Sequence, residues 1–144
     1  MAINPLKVLF VASEVEGLVK TGGLADVAKA LPQHLARAGH DVRIILPFYQ
    51  TLKRRDEARL LASRWLPTPQ GRDDISYRIY QLELDGICVY LLDCPAYFER
   101  PQLYAENNQA YPDNGERFAF LAAAALHACE QLNLAPDIVH CNDW

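Results

Sequence analysis

KVLFVASEVEGLVKTGGLADVAKALPQHLARAGHDVRIIL, residues 7–46, decides the fold. It opens on a short apolar run, residues 7–12, of the kind used by a strand covered on both faces. From Leu24 the period changes: Leu24, Val27, Ala28, Leu31, Leu35 and Ala38 recur at helical spacing, and Gly39 stands where a helix stops. Pro32 inside that pattern removes one helical N–H, so a kinked or split helix is expected. Residues 41–46 supply a second strand. Strand, helix and strand in this order make a parallel pair joined by a right-handed crossover.

Outward from this unit, residues 50–72 turn polar and irregular, with KRRDEAR and LPTPQGR, and read as an exposed helix followed by a loop. Two β-rich segments, ISYRIYQLEL and ICVYLLDC, flank Asp85-Gly86, the dipeptide of a tight hairpin. A loop rich in Pro, Tyr and Asn spans residues 95–112. Asp113 and Glu116 then take the positions of a capping box, and Phe118, Leu121, Ala122, Ala125 and Cys129 form the core stripe of the next helix. PDIVHCNDW reads as one more strand. The expected fold is α/β: a Rossmann-like open, mostly parallel sheet with flanking helices and a β-hairpin excursion, in one domain over residues 1–144.

Composition narrows the function. A net charge of -4 offers no basic stripe for nucleic acid, and 51% apolar residues suffice for a core. Apolar runs fall short of the roughly 20 residues that cross a bilayer, and the first residues lack a charged leader, so a cytoplasmic protein without a membrane partner is expected. Cys88, Cys94, Cys129 and Cys141 show no CxxC spacing and read as small buried thiols rather than a disulfide or metal site.

In open α/β sheets, ligands bind beyond the carboxyl ends of the strands. Two polar clusters fall there: Lys20-Thr21-Gly22-Gly23 with Asp26, and His140, Asn142, Asp143 and Trp144. Glycines let backbone N–H groups approach a ligand, a helix starting near Gly23 points its dipole there, and Lys20 adds a positive charge. Together these describe a phosphate site. Two readings stay open, since Gly22-Gly23 equally permits a simple turn. The segment matches neither the Walker pattern nor G-x-G-x-x-G. Asp26 suits sugar hydroxyls, but taken alone it reads first as an acidic residue at a helix start, and His140 reads as a core histidine. Tyr104 offers an aromatic face or a hydroxyl to a sugar, and Asp143 stands better placed than His140 to meet ligand.

The SE-x-x-x-x-x-KTGGL-x-DV pattern, with YPDNGERFAFL and PDIVHCNDW, resembles the N-terminal signature of bacterial glycogen synthases and plant starch synthases. The resemblance covers nearly the whole chain and is weakest over residues 50–80. It implies a retaining glycosyltransferase of two-domain GT-B architecture that transfers glucose from ADP-glucose to the non-reducing end of an α-1,4-glucan. By that resemblance Lys20, Gly22 and Gly23 contact the donor's phosphates or sugar, while Asp26, Tyr104 and Asp143 line the sugar and acceptor side. No metal, cofactor or catalytic nucleophile is assigned to this chain. The chain departs from the pattern at Glu16-Gly17, where the family has a large residue followed by Pro, and at Asn142, where a second His is common. The resemblance also implies an excised N-terminal part, inactive without the second domain. The competing readings are a non-catalytic phosphate- or glucan-binding module and another GT-B enzyme such as a sucrose synthase.

Overall fold

The computed structural model describes residues 4–144. Strand β1 (Lys7–Val11) leads through a loop into helix α1 (Gly23–Arg37) and returns as β2 (Asp41–Pro47). The two strands pair in parallel, Val8 opposite Val42 and Phe10 opposite Ile44, which confirms the crossover unit. Gly39 ends α1 at φ +103, with its N–H on Ala36 O and that of His40 on Leu35 O. This paired arrangement satisfies carbonyls that the helix end would leave bare. Of the two outcomes expected at Pro32, the split is not seen: α1 continues through Pro32, whose ring is buried.

A turn at Arg55–Glu57 precedes β3 (Arg59–Pro67), β4 (Asp74–Leu84) and β5 (Ile87–Asp93). Asp85 and Gly86 both have positive φ, 48° and 83°, as a two-residue hairpin turn requires. The expected helix and loop over residues 50–72 are corrected to that turn and an edge strand. Register slips between Leu60 and Ala62, and the bulge scrambles the alternation that would betray a strand. Leu60 and Trp65, 66% exposed, remain on its surface.

Helix α2 (Pro95–Phe98) and a small hairpin, β6 (Ala105–Glu106) with β7 (Gln109–Ala110), interrupt the expected loop before α3 (Asn114–Gln131) and β8 (Ile138–Cys141). The main sheet has the order β3-β4-β5-β2-β1-β8, with β5, β2, β1 and β8 parallel and the β3–β4 arm antiparallel. Phe10, Ile79, Val89, Leu91 and Phe120 are fully buried in one core. Along α3 the stripe is Phe118, Phe120, Leu121, Ala124, Ala125, Ala128 and Cys129, whereas Ala122 is exposed. The capping box does not form either. Asp113 turns its carboxylate to Arg100, both oxygens at 2.6 Å, and Glu116 accepts from Tyr97 OH at 2.8 Å.

Cys94 and Cys129 are buried as expected, Cys88 is half-buried, and Cys141 is exposed; all four are free thiols. Among the described residues no group of His, Cys, Asp or Glu is arranged to hold a metal, and no helix is long and apolar enough to cross a membrane.

Candidate functional site at the carboxyl edge of the sheet

The loop from β1 to α1 is a stiff structure. Val15 and Val19 exchange both backbone hydrogen bonds, at 3.0 and 2.9 Å, around a turn that places Gly17 at φ +93. Thus Glu16-Gly17, where the chain departs from the family pattern, closes a tight turn that a non-glycine residue would strain. Val15 and Leu18 are fully buried and anchor it from below, leaving Lys20, Thr21, Gly22 and Gly23 exposed.

Gly22 has φ -162, extended backbone open to any residue, and Gly23 opens the helix. A Cβ added at either position would meet nothing within 4 Å. Neither backbone conformation nor internal packing therefore calls for glycine. What the pair leaves is open space in front of a helix start that carries no side-chain cap. Uncapped N–H groups and the dipole make such a start attractive to an anion.

Two parts of this expectation need correction. The N–H of Gly22 does not face outward: it donates to Glu14 Oε1 at 2.9 Å, beside the N–H of Thr21 at 3.1 Å. Lys20 is not a free charge either, since its Nζ lies 2.6 Å from Asp26 Oδ1. That hydrogen bond raises the Lys20 pKa and lowers that of Asp26, so both stay ionised at neutral pH. The pair is about half exposed on each side, and surface pairs of this kind exchange partners at little cost.

The donors of this loop converge on Glu14, the Glu of the SE that opens the motif. It is 2% exposed, and its second oxygen accepts from Thr21 Oγ1 and Tyr104 OH, each at 2.6 Å. Burial pushes its pKa up, but the four donors outweigh burial and the net shift is downward. A lowered folded pKa means that this stabilisation is complete above the ordinary value and is lost as pH falls through the folded one. Acid should therefore destabilise the protein more steeply than a Glu14→Gln variant as pH falls below the ordinary carboxylate value of 4.5. Urea midpoints across that range check it, and parallel profiles for the two proteins would refute it. The signal was present in the sequence: an ionisable residue inside the apolar run VLFVASEV must find donors if buried.

Tyr104 comes to the site from the other side. Its hydroxyl, expected to face a sugar, is committed to Glu14 and to Ser13 Oγ at 2.7 Å. Burial and the adjacent carboxylate push its pKa well up. Its ring stacks on Trp144, with centroids 5.0 Å apart at 17°. Asp143, exposed and at φ +50, precedes that tryptophan, so the end of β8 and the 101–105 loop meet. Asn142 donates to Val11 O at 2.9 Å and ties β8 to the end of β1. His140 stays apart, stacked on Phe10 at 4.6 Å, in keeping with a packing role. Between residues 18–21 and 101–105 lies an open groove of about 510 Å3, also lined by Thr51 and Lys53.

A parallel sheet with its ligand edge, a glycine pair before a helix start and an adjacent lysine define a Rossmann-like α/β domain with a loop suited to an anion. The chain belongs to the starch synthase catalytic domain family, whose model matches residues 7–144. It is 83% identical over 144 residues to the glycogen synthase of Aeromonas salmonicida, covering all of this chain and 30% of that protein. It is 57% identical over 141 residues to the glycogen synthase of Photobacterium profundum, covering 98% of this chain and 28% of that protein. Among solved structures, the catalytic domain of starch synthase IV from Arabidopsis thaliana, bound to ADP and acarbose, superposes with a TM-score of 0.85 at 32% identity. The match covers 98% of this chain and 28% of that one. The chain thus spans about 30% of the length of the curated relatives it matches.

Proposed function

We propose that this chain forms the donor-phosphate wall of a retaining glucosyltransferase, which moves glucose from ADP-glucose to the non-reducing end of an α-1,4-glucan in the cytoplasm. The observation that carries the proposal is the open space before Gly22 and Gly23, flanked by Lys20, that nothing inside the protein requires. The names of the relatives, and the ADP and acarbose bound to starch synthase IV, support the same reading.

In this reading the diphosphate docks against the N–H groups of Gly23 and Leu24 at the start of α1, because that of Gly22 already serves Glu14 and that of Ala25 donates to Gly22 O. Lys20 exchanges Asp26 for the phosphate. Charge builds up on the diphosphate as the glycosidic bond to the anomeric carbon breaks, so a cation and preoriented N–H groups lower the barrier to departure. Asp26, released from Lys20, becomes free to accept from sugar hydroxyls. The ring of Tyr104, together with Trp144 and Asp143, lines the acceptor side. No side chain here is assigned as a nucleophile. A non-catalytic module or a sucrose synthase has no observation of its own in its favour.

Gly23→Ala separates the site from the fold. Removing chain freedom at a helical glycine stabilises a protein by roughly 0.5 kcal/mol, and the new methyl meets no protein atom. The methyl instead occupies space proposed for the phosphate, and a clash of that kind costs about 1–3 kcal/mol, some tenfold or more in donor affinity. A variant of the full-length enzyme that is no less stable but binds ADP-glucose more weakly is the expected result. Unchanged affinity would remove the central support for the site.

A further inference from the structure

Glu14 touches two loops that are far apart in the chain. Its Oε1 accepts the N–H groups of Thr21 and Gly22, at the entry to α1. Its Oε2 is shared by the hydroxyls of Thr21 and of Tyr104, which lies 90 residues further on. Tyr104 has a single hydroxyl proton, and it goes to Glu14, so Ser13 Oγ must donate to the tyrosine oxygen. The result is a continuous chain of hydrogen bonds from Ser13 through Tyr104 and Glu14 to Thr21, with Glu14 2% exposed.

A buried carboxylate is an inefficient way to fill space, because apolar residues of similar volume usually serve stability as well or better. What it does supply is directional geometry: both loops must sit where their donors reach the same oxygen. Lys20 and Gly23 flank the two residues on one side of the carboxylate. Tyr104, stacked on Trp144, stands on the other.

We infer that Glu14 is a positioning residue that holds the donor-phosphate loop in register with the Tyr104 wall, so that ADP binding depends on Tyr104 without contact between them. This rests on the phosphate reading proposed above. Glu14 itself touches no substrate in this arrangement, because its oxygens are filled by internal donors.

The test is a double-mutant cycle in the full-length enzyme, with ADP as the probe and calorimetry as the readout. Thr21→Val and Tyr104→Phe each delete one hydroxyl on Oε2 and keep the size of the side chain. Each should weaken ADP binding about fivefold to tenfold, a part of what one hydrogen bond to a charged group contributes, because the remaining donors still hold Glu14. Because both act through one oxygen, the double variant should fall within about threefold of the worse single variant, not at the product of the two. Thermal unfolding midpoints, measured alongside, separate this from general loosening, which would lower stability and leave ADP affinity in place. Independent effects, or no effect of Tyr104→Phe on ADP, would overturn the link. Lys20→Ala distinguishes the two ideas: if it weakens ADP binding while the hydroxyl variants act independently, the phosphate site stands and the link falls. If Lys20→Ala is silent as well, both fall.

Discussion

Replacing Lys20 with alanine in the full-length enzyme should lower kcat/KM for transfer from ADP-glucose roughly 100-fold, comparable to removing one charge-stabilising donor from an active site. The loss should appear in kcat as well as in donor affinity, because the charge on the diphosphate grows as its bond to glucose breaks. Stability should hardly change, since the pair that Lys20 forms with Asp26 in the unliganded loop is exposed. Asp26→Asn offers a useful contrast. It frees Lys20 from its partner and so should not weaken ADP binding, while it removes a proposed acceptor for sugar hydroxyls. Steady-state kinetics with glycogen as acceptor, read beside ADP affinity, would check both. An unchanged donor affinity and catalytic efficiency in Lys20→Ala would remove the phosphate role.

The parallel core was legible because its strands are buried on both faces and its helix has a clean period: β1, α1 and β2 lie within a residue or so of their expected limits. The hairpin followed from Asp85-Gly86, a local signal with a local cause. The failures share a different origin. Strand β3 is held by pairing with β4, and its own sequence, interrupted by a bulge, carries no alternation to read. Asp113 and Glu116 looked like partners of each other and found better ones in Arg100 and Tyr97, residues brought in by the tertiary fold.

The site divides in the same way. Lys20, Gly22, Gly23 and Asp26 were visible as one short motif, because a helix start gathers neighbours in sequence. Glu14 was legible as an ionisable residue in an apolar run, but its partner Tyr104, 90 residues further on, is a contact no spacing rule foretells. The sequence offered the ring or the hydroxyl of Tyr104 to a sugar, whereas the hydroxyl is bonded to Ser13 and Glu14 and the ring stacks on Trp144.

Arg117→Met should be the most damaging single change to the fold. Arg117 is fully buried, a position that arginine rarely occupies, and among the described residues no carboxylate is hydrogen-bonded to it. Its Nε donates to Tyr97 O at 2.6 Å, and its Nη1 to Leu103 O and Asn114 Oδ1, each at 2.8 Å. The guanidinium also lies over the rings of Tyr111 and Phe118. Burial lowers its pKa, yet an arginine keeps its charge at any ordinary pH. One side chain on α3 thus fastens the segment from Tyr97 to Leu103, and Asn114 adds a bond to Tyr104 O at 2.9 Å. Methionine matches the stem but leaves two backbone carbonyls without donors, at roughly 1–3 kcal/mol each, so a loss of about 3–5 kcal/mol is expected. Domains are typically stable by only about 5–15 kcal/mol. Lysine should rescue little, because a single ammonium cannot span acceptors set out for a planar fork. The damage should concentrate in the loop that carries Tyr104. Hydrogen exchange at residues 97–111 should rise further than in β1 or β2, and ADP binding should weaken through the Glu14 contact. An Arg117→Met protein within about 1 kcal/mol of the parent would show that water or rearranged side chains satisfy those carbonyls, and that the loop is fixed elsewhere.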